Sequence, residues 1–294
     1  MYLEFAINAL KHENWWILLA YSGMLPPMIG QLKLPSWVPD WHAMSLQPVI
    51  DIHSLRYLGA GEGLEFGDSG FDRCADYAKL HCPGLLIDVV SKVKPFPERD
   101  SEAVKEFWTD LTADHPLKIF KPGFSPLHAL FNLLILGVDF SVGPDDSSID
   151  KKKAIFAWAA YLEGILNVEL PGQAQDEHMI VKIRSQWASL TMIEIQEVLR
   201  GDLLNSLPLT VMIIAGSRYH VFRTESGYIG LGPKSTMLGD KVCVLQDCPF
   251  PLLLRPSGPH YRLVGHSKVL GLTEGEAAEM HKAGKFQMEE IIIE

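Results

Sequence analysis

The feature that most constrains the fold is a change of pattern after Leu207, where short β-like runs follow one another between glycines and prolines. Runs of this length, separated by turn residues, are typical of strands in a small barrel or a curled antiparallel sheet. We therefore predict a small C-terminal antiparallel β-barrel or curled sheet. The predicted strands are 210–215, 219–224, 228–231, 241–245, 252–255 and 261–264.

The chain before this point mostly follows a helical periodicity. Residues 80–90 are an exception, because their apolar run is typical of a buried strand or a strand pair. We expect an α+β fold with a mainly helical part over residues 1–200, which includes a Pro/Trp-rich loop and short strands, and a β-rich part over residues 201–294, packed as one compact unit. The predicted helices are 2–21, 101–112, 126–138, 151–166 and 178–199.

Charge and hydropathy exclude two classes of partner. The chain has 36 acidic and 26 basic residues, a net charge of −10, whereas nucleic-acid binding requires clustered Lys and Arg. The longest apolar stretch, 127–140, contains polar residues and is shorter than the roughly 20 residues that cross a bilayer.

Residues 1–20 lack the pattern of a secretory signal, and the 4 scattered cysteines are typical of a reducing compartment. We expect a cytoplasmic protein with no membrane span and no nucleic-acid partner.

The sequence contains no motif for a metal, a phosphate group or an activated nucleophile. Its histidines lack the His-Glu-x-x-His spacing, and the pair Cys243 and Cys248 has no matching half. The glycines at 59–63 are not followed by a helical pattern, as a dinucleotide loop requires. His81 and Cys82 are adjacent on a predicted strand, so their side chains point to opposite faces. We expect neither a cofactor nor a metal ion.

The segment 34–41, Leu-Pro-Ser-Trp-Val-Pro-Asp-Trp, carries two indoles in a proline-rich loop. Loops with large aromatic side chains are usually anchored against a core, and structural anchoring is the first interpretation. In the alternative, Trp37 and Trp41 line an apolar ligand pocket and Asp40 orients a polar group inside it.

The C-terminal strands carry a second group of polar and charged side chains. Most of them are expected to lie on solvated faces or to pair with opposite charges. In an otherwise acidic chain they also form a candidate donor cluster for a carboxylate or carbonyl ligand. The group consists of Arg223, Tyr228, Arg255, Tyr261, His266 and Lys268.

Several blocks together resemble one protein family. Residues 34–41 are similar to the LPSWVPDW stretch found downstream of the effector domain in fungal heterokaryon-incompatibility (HET) proteins. Residues 222–233 resemble the F-x-T-x-x-G-Y-I-G-L-G-P segment of the same family, and residues 261–277 resemble its last conserved block. The resemblance implies a stand-alone, divergent module that lacks the HET effector domain.

The departures from the family pattern fall on polar positions. In the last block His266 stands where the family has Glu, and Lys268 stands where it has Tyr. Leu270 and Thr273 replace a His and a Met, whereas the glycines of the block remain. The resemblance thus implies a retained scaffold with altered chemistry.

Two functions from different classes follow as hypotheses. The first is a cofactor-independent enzyme for an apolar small molecule in fungal secondary metabolism, a cyclase or isomerase, with a pericyclic, Diels-Alder-type reaction as one of its forms. There Trp37, Trp41 and Arg255 would bind substrate, Asp40 or His266 would move a proton, and Arg223, Lys268 or Tyr228 would polarise a carbonyl. The second is a non-catalytic HET-like interaction or sensing module with a protein partner, which predicts an exposed apolar patch.

Overall fold

A computed structural model describes residues 2–23, 34–41, 59–65, 74–76, 78–95, 219–273 and 275–294. These residues belong to one compact unit, which takes in Met1–Pro95 and Arg218–Glu294. The four helices predicted between residues 101 and 199, the strand predicted at 210–215 and the boundary predicted near residue 200 lie outside the described residues.

The described elements are mostly strands. Three helices are present in these ranges: α1 (Tyr2–Ala9), α2 (Ile17–Ala20) and α3 (Glu276–Lys282). None of them is long and apolar enough to cross a membrane. The strands are β1 (Cys74–Asp76), β2 (Lys79–Pro95), β3 (Tyr219–Thr224), β4 (Ile229–Pro233), β5 (Lys241–Leu245), β6 (Leu252–Ser257), β7 (His260–His266), β8 (Lys268–Val269) and β9 (Glu289–Ile293).

Five of these strands close into a barrel in the order β2-β5-β6-β7-β9, with β9 pairing back to β2. Four of the five pairings are antiparallel, and β7 with β9 is parallel. Closure pairs the backbone groups that an open sheet would leave at its edges. The predicted C-terminal barrel is therefore confirmed, with one parallel pairing and with additional strands outside the ring.

The 17-residue strand β2 joins the barrel to those additional strands. It pairs with β9 over residues 80–84, with β5 over residues 84–89 and with β3 over residues 90–95. Two register shifts, after Leu86 and after Val90, mark bulges, and bulges bend and twist a strand. The first part of β2 can thus belong to the barrel, while its last residues pair with β3. β3 in turn pairs with β4, and β4 pairs with β8.

Gly84 lies where β2 is paired on both sides. A Cβ atom there would come within 2.8 Å of a Leu245 methyl and 2.9 Å of an Ile291 methyl. Only glycine lets β5 and β9 approach β2 at the same residue.

The prediction of one helix over residues 2–21 is wrong, because α1 and α2 are separate. Between them the amides of Lys11 and Trp15 bond to carbonyls three residues back, as in tight 3₁₀-type turns. These turns leave residues 11–14 exposed and bury both Trp15 and Trp16. Burial of two adjacent indoles overrides the helical periodicity.

The expectation that the first 200 residues are mainly helical is also corrected for the described part. The strand predicted at residues 80–90 is confirmed, but it is part of the longer strand β2 over residues 79–95. The N-terminal half of the chain therefore supplies a strand of the barrel itself. The sequence reading also missed β1, α3 and β9. Strands β3 and β5 have the predicted bounds.

The parallel seam between β7 and β9 contains one bridge pair, Tyr261 with Ile293. The amide of Glu294 donates to the carbonyl of Tyr261 at 2.8 Å. Ser36 then bridges the two strands: its amide and its hydroxyl both donate to the carbonyl of Glu294, and its hydroxyl accepts the amide of Leu263 at 2.7 Å. One serine from the proline-rich loop therefore completes the hydrogen bonding at the seam.

We expect Ser36→Ala to lower the free energy of unfolding by about 1–3 kcal/mol, because it leaves the amide of Leu263 without its acceptor. The matched control is Ser91→Ala, since the Ser91 hydroxyl is exposed and lies 3.3 Å from the Arg223 carbonyl. That control substitution should lower the free energy of unfolding by less than about 0.5 kcal/mol. Urea unfolding of both variants checks this, and equal losses would contradict the role given to Ser36.

Candidate functional site

Trp37 is fully buried in the core cluster between the N-terminal helices and the barrel. Its indole Nε1 donates to the carbonyl of Ala78 at 3.0 Å, and its own carbonyl accepts the hydroxyl of Ser22 at 2.9 Å. The indole is thus packed on its apolar faces and satisfied at its polar edge. This geometry is that of an anchor for the loop.

Trp41 and Asp40 lie at the rim of the same cluster. Trp41 is partly buried and makes edge-to-face contacts with Tyr2 and Phe5, at ring-centroid distances of 5.4 and 5.3 Å. Phe5 is 62% exposed, so this aromatic group reaches the surface. Asp40 is partly buried beside it.

His266 ends β7 and is buried at 5% exposure. Its Nε2 lies 3.2 Å from the hydroxyl of Tyr219, and its ring contacts Phe250 edge-to-face at 5.7 Å. Phe250 in turn contacts Trp16 of the core cluster at 5.8 Å. An imidazole and a phenol within hydrogen-bond distance can in principle exchange a proton with a bound molecule.

Arg255 on β6 forms a forked ion pair with Asp240. Its Nε and Nη2 donate to the two carboxylate oxygens at 2.9 and 3.0 Å, and Nη2 also donates to the carbonyl of Ser235 at 2.6 Å. Asp240 is 1% exposed. The guanidinium of Arg255, which was predicted to bind substrate, therefore neutralises a buried carboxylate in this structure.

Tyr228 lies just before β4 and is buried. Its hydroxyl donates to the sulfur of Met280 on α3 at 3.4 Å, and its amide donates to the hydroxyl of Thr224 at 2.9 Å. Burial raises the pKa of the Tyr228 phenol, and the negative charges of Asp88 and Glu276 raise it further. The phenol is held protonated and joins the β3-β4 hairpin to α3.

The remaining predicted donors lie on different strands. Arg223 is partly buried on β3 opposite Ile229 and Lys92, and Lys268 is partly buried on β8 opposite Leu231. Arg223, Tyr228 and Lys268 thus belong to the β3-β4-β8 sheet and its hairpin, whereas Arg255 and His266 belong to the barrel. The predicted donor cluster is divided between these two sheets.

Burial also governs the other titratable groups with shifted pKa values. It raises the pKa of Cys243 well above normal, with Cys248 and Cys82 adding to the effect, so this thiol is a poor nucleophile. It raises the pKa of Tyr261 and lowers that of His220, where Lys234 contributes in the same direction. Across the described ranges, no group of three or more His, Cys, Asp or Glu side chains is placed to hold a metal ion.

Sequence reasoning missed one surface feature, the turn between β4 and β5. Within it Met237 and Leu238 are 56% and 67% exposed. The available signal was an apolar pair directly before Gly239 and Asp240, a position where turns are usually polar.

The fold defines a class: a small closed β-barrel with a second sheet carried on one long bulged strand. Within this class, residues 146–288 match the family model described as the Het-6 beta-barrel domain. This match confirms the resemblance to the C-terminal region of HET proteins. No curated protein and no solved structure matches the chain.

The raised pKa of Tyr228 predicts a pH dependence. Above about pH 10 the unfolded chain loses this phenol proton while the folded chain retains it, so the free energy of unfolding falls as pH rises. Tyr228→Phe removes the group and should make that fall less steep. Urea unfolding at about pH 8 and about pH 11 measures the difference. An identical alkaline decline in both proteins would contradict the assignment.

Proposed function

We propose that this chain is a non-catalytic interaction module that uses the Het-6 barrel as a rigid scaffold. The observation that carries the proposal is that side chains predicted to act in catalysis or substrate binding make structural contacts instead. Arg255, Tyr228 and Trp37 make contacts that build the fold. Side chains that hold the fold together in this way are less available to a substrate, whereas the scaffold they stabilise is suited to presenting a surface.

Arg255 gives the clearest physical argument. To turn its Nε and Nη2 donors to a substrate carbonyl, it would have to leave Asp240, a carboxylate that is 1% exposed. Uncovering a buried charge in this way costs about 3–5 kcal/mol. That cost would have to be recovered from substrate binding, whereas a structural ion pair needs no such compensation.

Tyr228 and Trp37 support the same proposal. The phenol of Tyr228 is directed to Met280 and the indole N–H of Trp37 to Ala78, both inside the fold. Groups that catalyse a reaction must reach the reacting atoms within hydrogen-bond distance. These two groups instead join separate segments of the chain.

A cofactor-independent cyclase or isomerase is the second candidate, and one observation favours it. His266 and Tyr219 form a buried imidazole–phenol pair against the ring of Phe250. In that function His266 would move a proton for an apolar substrate, Tyr219 would set the orientation of the imidazole, and Phe250 would supply an apolar wall.

Two assays on the purified full-length chain separate the candidates. In the first, the chain is incubated with a fungal metabolite extract and followed by native mass spectrometry and product analysis. We expect no consumed compound and no retained ligand. In the second, the chain captures proteins from a fungal extract by cross-linking, and each captured protein is purified and titrated against it. We expect direct binding by at least one of them.

His266→Gln serves both assays, with the exposed His12→Gln as the matched control. The interaction module predicts that both variants bind the purified partner as the unmodified chain does. Conversion of a metabolite that His12→Gln retains and His266→Gln loses, with both variants folded, would overturn the proposal in favour of the enzyme.

A further inference from the structure

The turn over residues 234–240, between β4 and β5, places apolar side chains where solvent-exposed turns normally carry polar ones. Met237 and Leu238 are more than half exposed, and Gly239 follows them with a φ of 87°. Gly, Asn, Asp and Ser dominate such positions because they satisfy turn geometry and water together. A local rule broken at a well-formed turn is most often explained by function.

This turn is rigid, because its backbone is bonded on several sides. The hydroxyl of Thr236 donates to the carbonyl of Pro233 at 2.6 Å, and the amide of Met237 donates to a carboxylate oxygen of Asp240 at 2.8 Å. Val90 on β2 accepts the amide of Gly239 at 2.9 Å and donates to the carbonyl of Asp240 at 2.8 Å. A surface held in one conformation loses little entropy on binding.

The charge around the turn is positive in a chain whose net charge is −10. Asp240 is the one acidic residue among residues 234–241, and it is buried against the guanidinium of Arg255. Lys234 precedes the apolar pair and is exposed, and Lys241 follows it and is partly buried. The turn therefore combines two exposed apolar side chains with a lysine on either side of them in the sequence.

We propose that the 234–240 turn docks this module on an anionic lipid surface. Met237 and Leu238 enter the headgroup layer, while Lys234 and Lys241 contact lipid phosphates. This inference rests on the proposed function as an interaction module, and it adds an anionic lipid surface to the protein partner expected for that function.

The size of the feature favours a membrane over a protein partner. A stable protein interface buries about 1,000 Å² or more in total, which two protruding side chains do not supply. Shallow insertion needs only a few apolar side chains, and lysines near an anionic surface add to the attraction. The two exposed apolar side chains are consecutive in sequence and flanked by lysines, as a lipid contact requires.

Vesicle co-sedimentation of the full-length chain tests the proposal. The probes are phosphatidylcholine vesicles and vesicles with about one third phosphatidylserine. We expect binding to the anionic vesicles, little binding to the neutral ones, and weaker binding as salt screens the lysines. The double variant Met237→Ser, Leu238→Ser should lower the partition coefficient at least about tenfold. Lys234→Gln with Lys241→Gln should lower it on anionic vesicles.

Phe5→Ser is the matched control, because Phe5 is the other large apolar side chain that is mostly exposed in the described residues. It should bind vesicles as the unmodified chain does. Thermal unfolding establishes that the variants are folded, which is expected since Met237 and Leu238 are exposed. Equal binding by the turn variant, or no binding to anionic vesicles, overturns the proposal.

The protein alternative gives a distinct result. If the chain does not bind vesicles but a purified protein partner binds it and the Met237→Ser, Leu238→Ser variant loses that binding, the lipid proposal fails. The proposed function as an interaction module then stands.

Discussion

Between β7 and β9 the barrel is joined by the bridge pair Tyr261 with Ile293 and by Ser36, which lies in neither strand. The ring depends on this seam, because the other four pairings are antiparallel ladders with several bridge pairs each. Ser36 reaches the seam because the neighbouring Trp37 is fixed in the core. The proline-rich loop is thus part of the barrel, although it is distant from the barrel strands in sequence.

The sequence predicts what depends on local pattern and fails where distant segments meet. Strands β3 and β5 could be located because glycines and prolines delimit their apolar runs. The parallel partner β9 could not, since residues 289–293 are two glutamates followed by only three isoleucines, and only their pairing makes them a strand. The periodicity of residues 2–21 overstated the helix because it cannot show that Trp15 and Trp16 must both turn into the core.

In the candidate site, too, local pattern was predictable and contacts between distant segments were not. Residue type drew attention to Arg255 and Trp37, but their partners Asp240 and Ala78 were not predictable. The sequence around an arginine on a strand is the same whether the guanidinium binds a ligand or neutralises a buried carboxylate. The match to the Het-6 beta-barrel domain covers β3 to β8 and α3, while β2 and the whole of β9 lie outside it. Ring closure therefore requires strands from both sides of the matched residues.

Backbone amide hydrogen exchange on the full-length chain tests this account of the barrel most directly, read at the amides of Leu263 and Glu294. If Ser36 and β9 close the ring, these amides exchange within about tenfold of the Cys243 amide in the middle of β5, because they open with the barrel. Exchange at both amides as fast as in an unstructured chain, with Cys243 still protected, would show an open seam and contradict the closed barrel.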